Sequence, residues 1–141
     1  MTSASGAPTV RRDIGVDLPA EDVWPLVADA DGWTQWLVDE ADVDVQPGAR
    51  GSVADGGERR DVRVDEVVPG RSVSWRWWPA GAPADASTVQ LLVVPSGPRT
   101  IVRITETRAA AAQASLAATR WSVRSGLLAR LAWRAPVLAT V

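Results

Sequence analysis

The chain has no His, no Cys, no Tyr and no Phe, and every one of its 15 basic residues is Arg, so Lys is absent too. Each absence removes a chemistry. Without His there is no imidazole base for a serine triad, without Cys no thiolate nucleophile, and without Lys no Schiff base or Walker-type phosphate clamp. Zinc and copper lose their usual ligands, so no metal and no cofactor is expected. Disulfides are excluded. No run approaches the roughly 18 consecutive apolar residues of a membrane-spanning helix. The segment Met1–Pro8 lacks both the basic and the apolar stretch of an export signal, and a cytoplasmic protein without a transmembrane segment is expected. What remains for chemistry is Asp, Glu, Arg, Ser, Thr and eight Trp. That set suits binding, or carboxylate acid–base work in a buried pocket, and no catalytic residue set is assigned.

At 141 residues and 46% hydrophobic content, the chain has the size of one domain with its own core. Residues 1–8 are expected to be a flexible start, 9–135 a single domain and 136–141 a tail. Net charge is only -2, but it is unevenly placed: residues 1–70 hold 15 Asp/Glu against 6 Arg, whereas residues 99–141 hold 7 Arg and a single Glu. Acidic loops and a basic helix that neighbour one another in the fold account for this pattern. No nucleic-acid motif accompanies the arginines, and no nucleic-acid partner is expected.

Thr9–Asp17 reads as a strand, and Leu18-Pro19-Ala20-Glu21-Asp22 as a helix start whose apolar side is Val23, Trp24, Leu26 and Val27. Pro25 is taken as early enough for a first turn, and Asp31-Gly32 as a break before a second short helix at Trp33–Leu37. The period then changes to two. Segments near 41–46, 50–54, 59–68, 71–78, 87–95 and 99–108 are separated by turn signals such as Asp55-Gly56-Gly57 and Pro69-Gly70, which favour antiparallel hairpins. Only the connection Pro79–Ala86 is long, a candidate mobile loop. Alternation places Val62, Val64, Val73, Trp75, Trp77, Val89, Leu91, Val93, Val102, Ile104 and Glu106 on the core side, with Arg63, Ser74, Arg76 and Arg103 opposite. Leu92 and Val94 break the alternation, so that strand is either covered on both faces or shifted by one residue. From Ala109 the period returns to 3.6, and Leu116, Val123, Leu127, Leu128 and Leu131 form one stripe of a helix ending before Pro136.

This element order resembles the SRPBCC superfamily, which includes START domains, polyketide cyclases and the major birch pollen allergen. Val23-Trp24-Pro25-Leu26-Val27-Ala28-Asp29 followed by Trp33-Thr34-Gln35-Trp36-Leu37 is similar to one branch, the proteins like the C-terminal domain of the heat-shock chaperone ATPase activator. So are Pro47-Gly48 before a strand and the paired strands of Asp65–Trp77 around a Pro-containing turn. Where many members carry a His near the end of the last strand, this chain has Glu106. The resemblance implies an α+β helix-grip fold: a curved antiparallel sheet of about six or seven strands, two short N-terminal helices and a long C-terminal helix across it. It further implies a small apolar or amphipathic ligand enclosed between sheet and helix.

The expected lining follows from the core-side positions. Trp33, Trp36, Trp75 and Trp77 bring large flat area and an N–H apiece, and each is either cavity wall or plain core. Val53, Val64, Leu91 and Ile104 add strand positions, and Leu127 a helix position. Glu106 shares its side with Val102 and Ile104, so it needs a partner or a proton. Either Glu106 forms a polar cluster with Arg120 and Arg124 inside the cavity, or it meets water at the strand's end while the arginines reach past the helix edge. In the first arrangement an arginine not neutralised by Glu106 holds a ligand carboxylate or enol oxygen. Two other functions compete. One is a polyketide cyclase-like enzyme with Glu106 or Glu66 as acid–base group and Arg as oxyanion stabiliser. The other is a module for a protein partner, with Trp78 or Trp133 in the contact patch.

Overall fold

The computed structural model describes residues 9–108, 124 and 127–129. Strand β1 (Thr9–Val16) leads into helices α1 (Ala20–Ala28) and α2 (Ala30–Trp36). Six strands follow: β2 (Glu40–Asp42), β3 (Arg50–Asp55), β4 (Glu58–Val68), β5 (Ser72–Pro79), β6 (Ser87–Ser96) and β7 (Arg99–Thr107). They form one antiparallel sheet in the order β1-β7-β6-β5-β4-β3-β2, so β2 to β7 are a meander and β1 closes onto the last strand. The α1–α2 pair carries the chain from one edge strand to the other. This is the expected α+β, helix-grip-like architecture.

Turn chemistry fixes the hairpins. Between β3 and β4, Gly56 and Gly57 take φ of 59° and 82°, the left-handed pair that a tight two-residue connection requires. The β4–β5 register shifts between Val64 and Glu66, a bulge at Asp65 that bends the sheet. The bulge turns Glu66 outward, opposite Ser74, and returns Val67 to the inner side opposite Val73. Strand β2 is shorter than the expected 41–46. Past Asp42 the chain leaves β3 for β4, where Gly48 N–H donates to Val64 O (2.8 Å) and Val64 N–H to Ala49 O (2.9 Å). A short 3₁₀ turn, Pro83–Asp85, occupies the long connection before β6.

Two helix expectations are corrected. Asp31-Gly32 lies inside α2, because Asp29 caps that helix by accepting from Asp31 N–H and the break falls one turn earlier. Gly32 is needed for contact instead: a Cβ there would stand 2.1 Å from Pro25 O and 2.7 Å from Leu26 Cα. Pro25 is the sixth residue of α1, beyond the first turn, so the Glu21 carbonyl loses its i+4 donor.

The inner face is apolar and buried, and α1 packs across β5, β6 and β7 on it. Leu92 and Val94 sit half-buried on the outer face, with Val89, Leu91 and Val93 inward, so the register holds. Outer-face arginines form surface ion pairs: Arg103 Nε meets Asp13 Oδ1 at 2.9 Å and Arg76 Nε meets Asp65 Oδ2 at 3.5 Å. Of the helix expected from Ala109, residues 124 and 127–129 are described and are helical. Leu128 is fully buried in the core, with Leu127 and Ala129 at its margin. Leu116, Arg120, Val123 and Leu131 lie outside the described residues, as do segments 1–8 and 136–141. Among the described residues no helix is long and apolar enough to cross a membrane.

Candidate functional site

Cross-strand register lays the inner face out in rows. One row runs Val10, Glu106, Val89, Trp75, Val64 from β1 to β4, and the next toward the core's far end runs Arg12, Ile104, Leu91, Val73, Val67. Glu106 is therefore set among apolar neighbours, and it is fully buried. It accepts hydrogen bonds from Trp77 Nε1 (2.9 Å) and Ser87 Oγ (2.5 Å), and Arg108 Nη2 stands 3.6 Å from the same carboxyl oxygen. Register explains the convergence, since Trp77 faces Ser87 across β5 and β6. Charge-assisted bonds of this kind offset the several kcal/mol that burying an ion costs.

Arg60 extends the array. It is 7% exposed, lies over the Trp77 ring at 5.0 Å from the centroid, and meets Glu58 Oε1 at 3.3 Å. A desolvated cation over an indole contributes about 2 kcal/mol. Burial pushes the Arg60 guanidinium below its ordinary value, against the pull of Glu58 and Glu106, and Arg108 adds to the lowering.

The four expected tryptophans divide by what their N–H groups do. Trp33 donates to Val27 O (2.7 Å) and Trp36 to Leu26 O (2.8 Å), satisfying carbonyls at the end of α1 that no helical N–H reaches. Trp77 serves Glu106. Trp75 packs between Trp33 (centroids 4.6 Å) and Trp77 (5.5 Å, edge-on), is fully buried, and its Nε1–H has no partner among the described residues. A buried unsatisfied donor costs roughly 1–3 kcal/mol.

Of the other expected residues, Val53, Val64, Leu91 and Ile104 are buried on the inner face, and Leu127 is half-buried beside it. Arg124 is not beside Glu106. Its guanidinium pairs with Asp55 and, at 3.6 Å, with Asp39, and it reaches Trp36 O at 3.5 Å, all near the β2–β3 edge. One arginine of the basic C-terminal stretch thus meets two carboxylates of the acidic half. Arg120 lies outside the described residues. Glu106 is not in water at a strand's end, and among the described residues its cation is Arg108, its i+2 neighbour on the same side of the strand. Glu66 is exposed on the outer face, away from the interior.

Three inward arginines escaped the sequence reading: Arg12, Arg60 and Arg108. Parity held the signal, because Arg12 shares its side with Ile14 and Val16, Arg60 with Val62 and Val64, and Arg108 with Glu106. Arg12 is half-buried, and its Nε lacks a hydrogen-bond partner among the described residues. No group of acidic side chains among the described residues is placed to hold a metal ion. An open cleft of about 300 Å³ lined by Asp13, Gly15, Ser96, Arg99, Thr100 and Ile101 lies at the β1–β7 end.

No curated protein matches the chain by sequence. Its fold is shared with solved structures. MLL2253 from Mesorhizobium loti superposes with a TM-score of 0.80 at 24% identity, over 90% of this chain and 98% of that one. DynU16, a protein of the dynemicin biosynthetic locus, gives 0.78 at 24% identity over 86% of this chain, which spans only 46% of DynU16. The Aha1 dimer from Colwellia psychrerythraea gives 0.68 at 17% identity over 83% of this chain and 90% of that one. The family model of the activator of Hsp90 ATPase homolog 1-like proteins matches residues 17–132, and the chain belongs to that family, within the SRPBCC superfamily.

Proposed function

We propose that the protein binds an apolar or amphipathic small molecule against the inner face of the sheet, beneath the C-terminal helical segment. Trp75 and its neighbours form the apolar wall, and the Glu106 array forms the polar end. The observation that carries this reading is the fully buried Glu106 carboxylate held by Trp77 and Ser87. A core built only for packing gains nothing from an ion, since apolar residues of equal volume are commonly as stable or more so. A fixed charge in a greasy wall is instead what orients a ligand. The likeness to DynU16, from a biosynthetic locus, supports a small-molecule ligand.

The competing functions have less support. A cyclase-like reaction loses Glu66 to the outer face and keeps Glu106 only as a group already accepting two hydrogen bonds. The likeness to the Aha1 dimer raises a protein-contact role, but Trp78 is half-buried, and Trp133 lies outside the described residues. Native mass spectrometry of the chain incubated with dodecanoate, 1-dodecanol and naphthalene-2-carboxylate tests the binding reading. A one-to-one noncovalent adduct that denaturation releases is expected for at least one of them. Bare 15.0 kDa protein throughout contradicts it.

A further inference from the structure

Resting on that reading, we infer that the ligand is an organic acid and that Arg12 holds its anionic group. Arg12 sits on β1 opposite Ile104, two positions along from the Val10–Glu106 pair, so it is the diagonal neighbour of the one buried carboxylate. It does not use it. Glu106 is engaged by Trp77, Ser87 and Arg108, and Arg12 forms no ion pair among the described residues, with its Nε buried and unpartnered. Arg108 flanks Glu106 on the other side and is the arginine that pairs with it, and Arg60 meets Glu58, so among the described residues Arg12 is the inward guanidinium left without a carboxylate. The surplus is positive, and an anion relieves it.

The unmet hydrogen bonds agree in sign. Arg12 Nε and Trp75 Nε1 are both donors on the inner face, and what they lack is an acceptor oxygen. They lie three strand spacings apart, about 14 Å of sheet. A molecule with a carboxylate or enolate at one end and an apolar body supplies the acceptor at Arg12 and covers the Trp75 wall. A neutral hydrocarbon or an amine does not.

The test is isothermal titration of the full chain at pH 7 with two matched pairs: dodecanoate with 1-dodecanol, and naphthalene-2-carboxylate with naphthalene-2-carboxamide. Wild type is expected to favour the acid by about tenfold or more, the size of one charge-assisted hydrogen bond. In Arg12→Gln that preference should fall to near parity, because the acid loses a charge-assisted bond and the neutral partner at most an uncharged one. Arg12→Lys should restore part of the preference, and added salt should weaken only the acid. Equal wild-type affinity within both pairs, or an undiminished preference in Arg12→Gln, overturns the acid assignment and leaves the binding reading standing. Failure of all four probes to bind overturns the binding reading itself.

Discussion

Replacing Glu106 by Gln keeps an acceptor for Trp77 and Ser87 but removes the charge that faces Arg108 and lies within electrostatic reach of Arg60. Breaking one side of a buried ion pair leaves the other uncompensated, so Glu106→Gln should cost about 3 kcal/mol in urea unfolding. Glu106→Gln/Arg108→Gln should recover part of that loss, and simple additivity would show that the two do not interact. On the outer face the Asp13 carboxyl sits below its ordinary 3.8, first because Arg103 donates a hydrogen bond to it, against desolvation, which raises it, and with further lowering by attraction to Arg103 and then Arg11. A carboxyl lowered on folding stabilises above its unfolded value and loses that contribution as pH falls through its folded value. Wild type and Asp13→Asn should therefore differ near neutral pH and converge in acid, with the change beginning near 3.8. A difference independent of pH would remove the pair as its cause. At this scale strand alternation gave the side of the sheet on which Glu106 stands, but not whether it is buried or meets water at the strand's end. Its partners were not legible, because Arg in a strand defaults to solvent and parity becomes informative only once a buried anion is known to be there.

Among the elements, α1 and α2 show propensity and packing in opposition. Exposed helix interiors gain about 1 kcal/mol when Gly becomes Ala. At Gly32 the added Cβ meets Pro25 O and Leu26 Cα, backbone that cannot swing aside, and Gly32→Ala should lose about 3 kcal/mol in chemical denaturation. Any stabilisation would mean that the two helices are further apart than described. The same contact explains why the sequence placed the boundary wrongly: Asp-Gly reads as a turn by itself, and only the neighbouring helix makes glycine necessary inside α2. The Arg124 link to Asp55 is testable through its coupling. In a double-mutant cycle of Arg124→Ala and Asp55→Ala, two side chains 14% and 17% exposed should couple by about 1 kcal/mol. Zero coupling would detach residue 124 from the β2–β3 edge. Helical phase put Arg124 within the apolar arc, but phase does not say which end of the sheet that arc meets.

Across the whole molecule, the strand order was readable because tight turns with Gly allow consecutive strands only to pair as hairpins. The closing β1–β7 pairing was not read from the sequence, since no local signal joins residues nearly a hundred positions apart. What the fold adds, among the described residues, is the placing of two unpartnered donors, Arg12 Nε and Trp75 Nε1, on one inner face, a property no single segment carries. Indole N–H resonances measure the central claim most directly, because Trp75 and Trp77 face inward and Trp78 outward on one strand. On titrating ¹⁵N-labelled protein with dodecanoate, the Trp75 indole signal should shift as the acyl chain becomes its neighbour, Trp77 should follow, and Trp78 should stay. Movement of Trp78 with Trp75 and Trp77 unchanged would place the ligand outside the sheet and contradict the account.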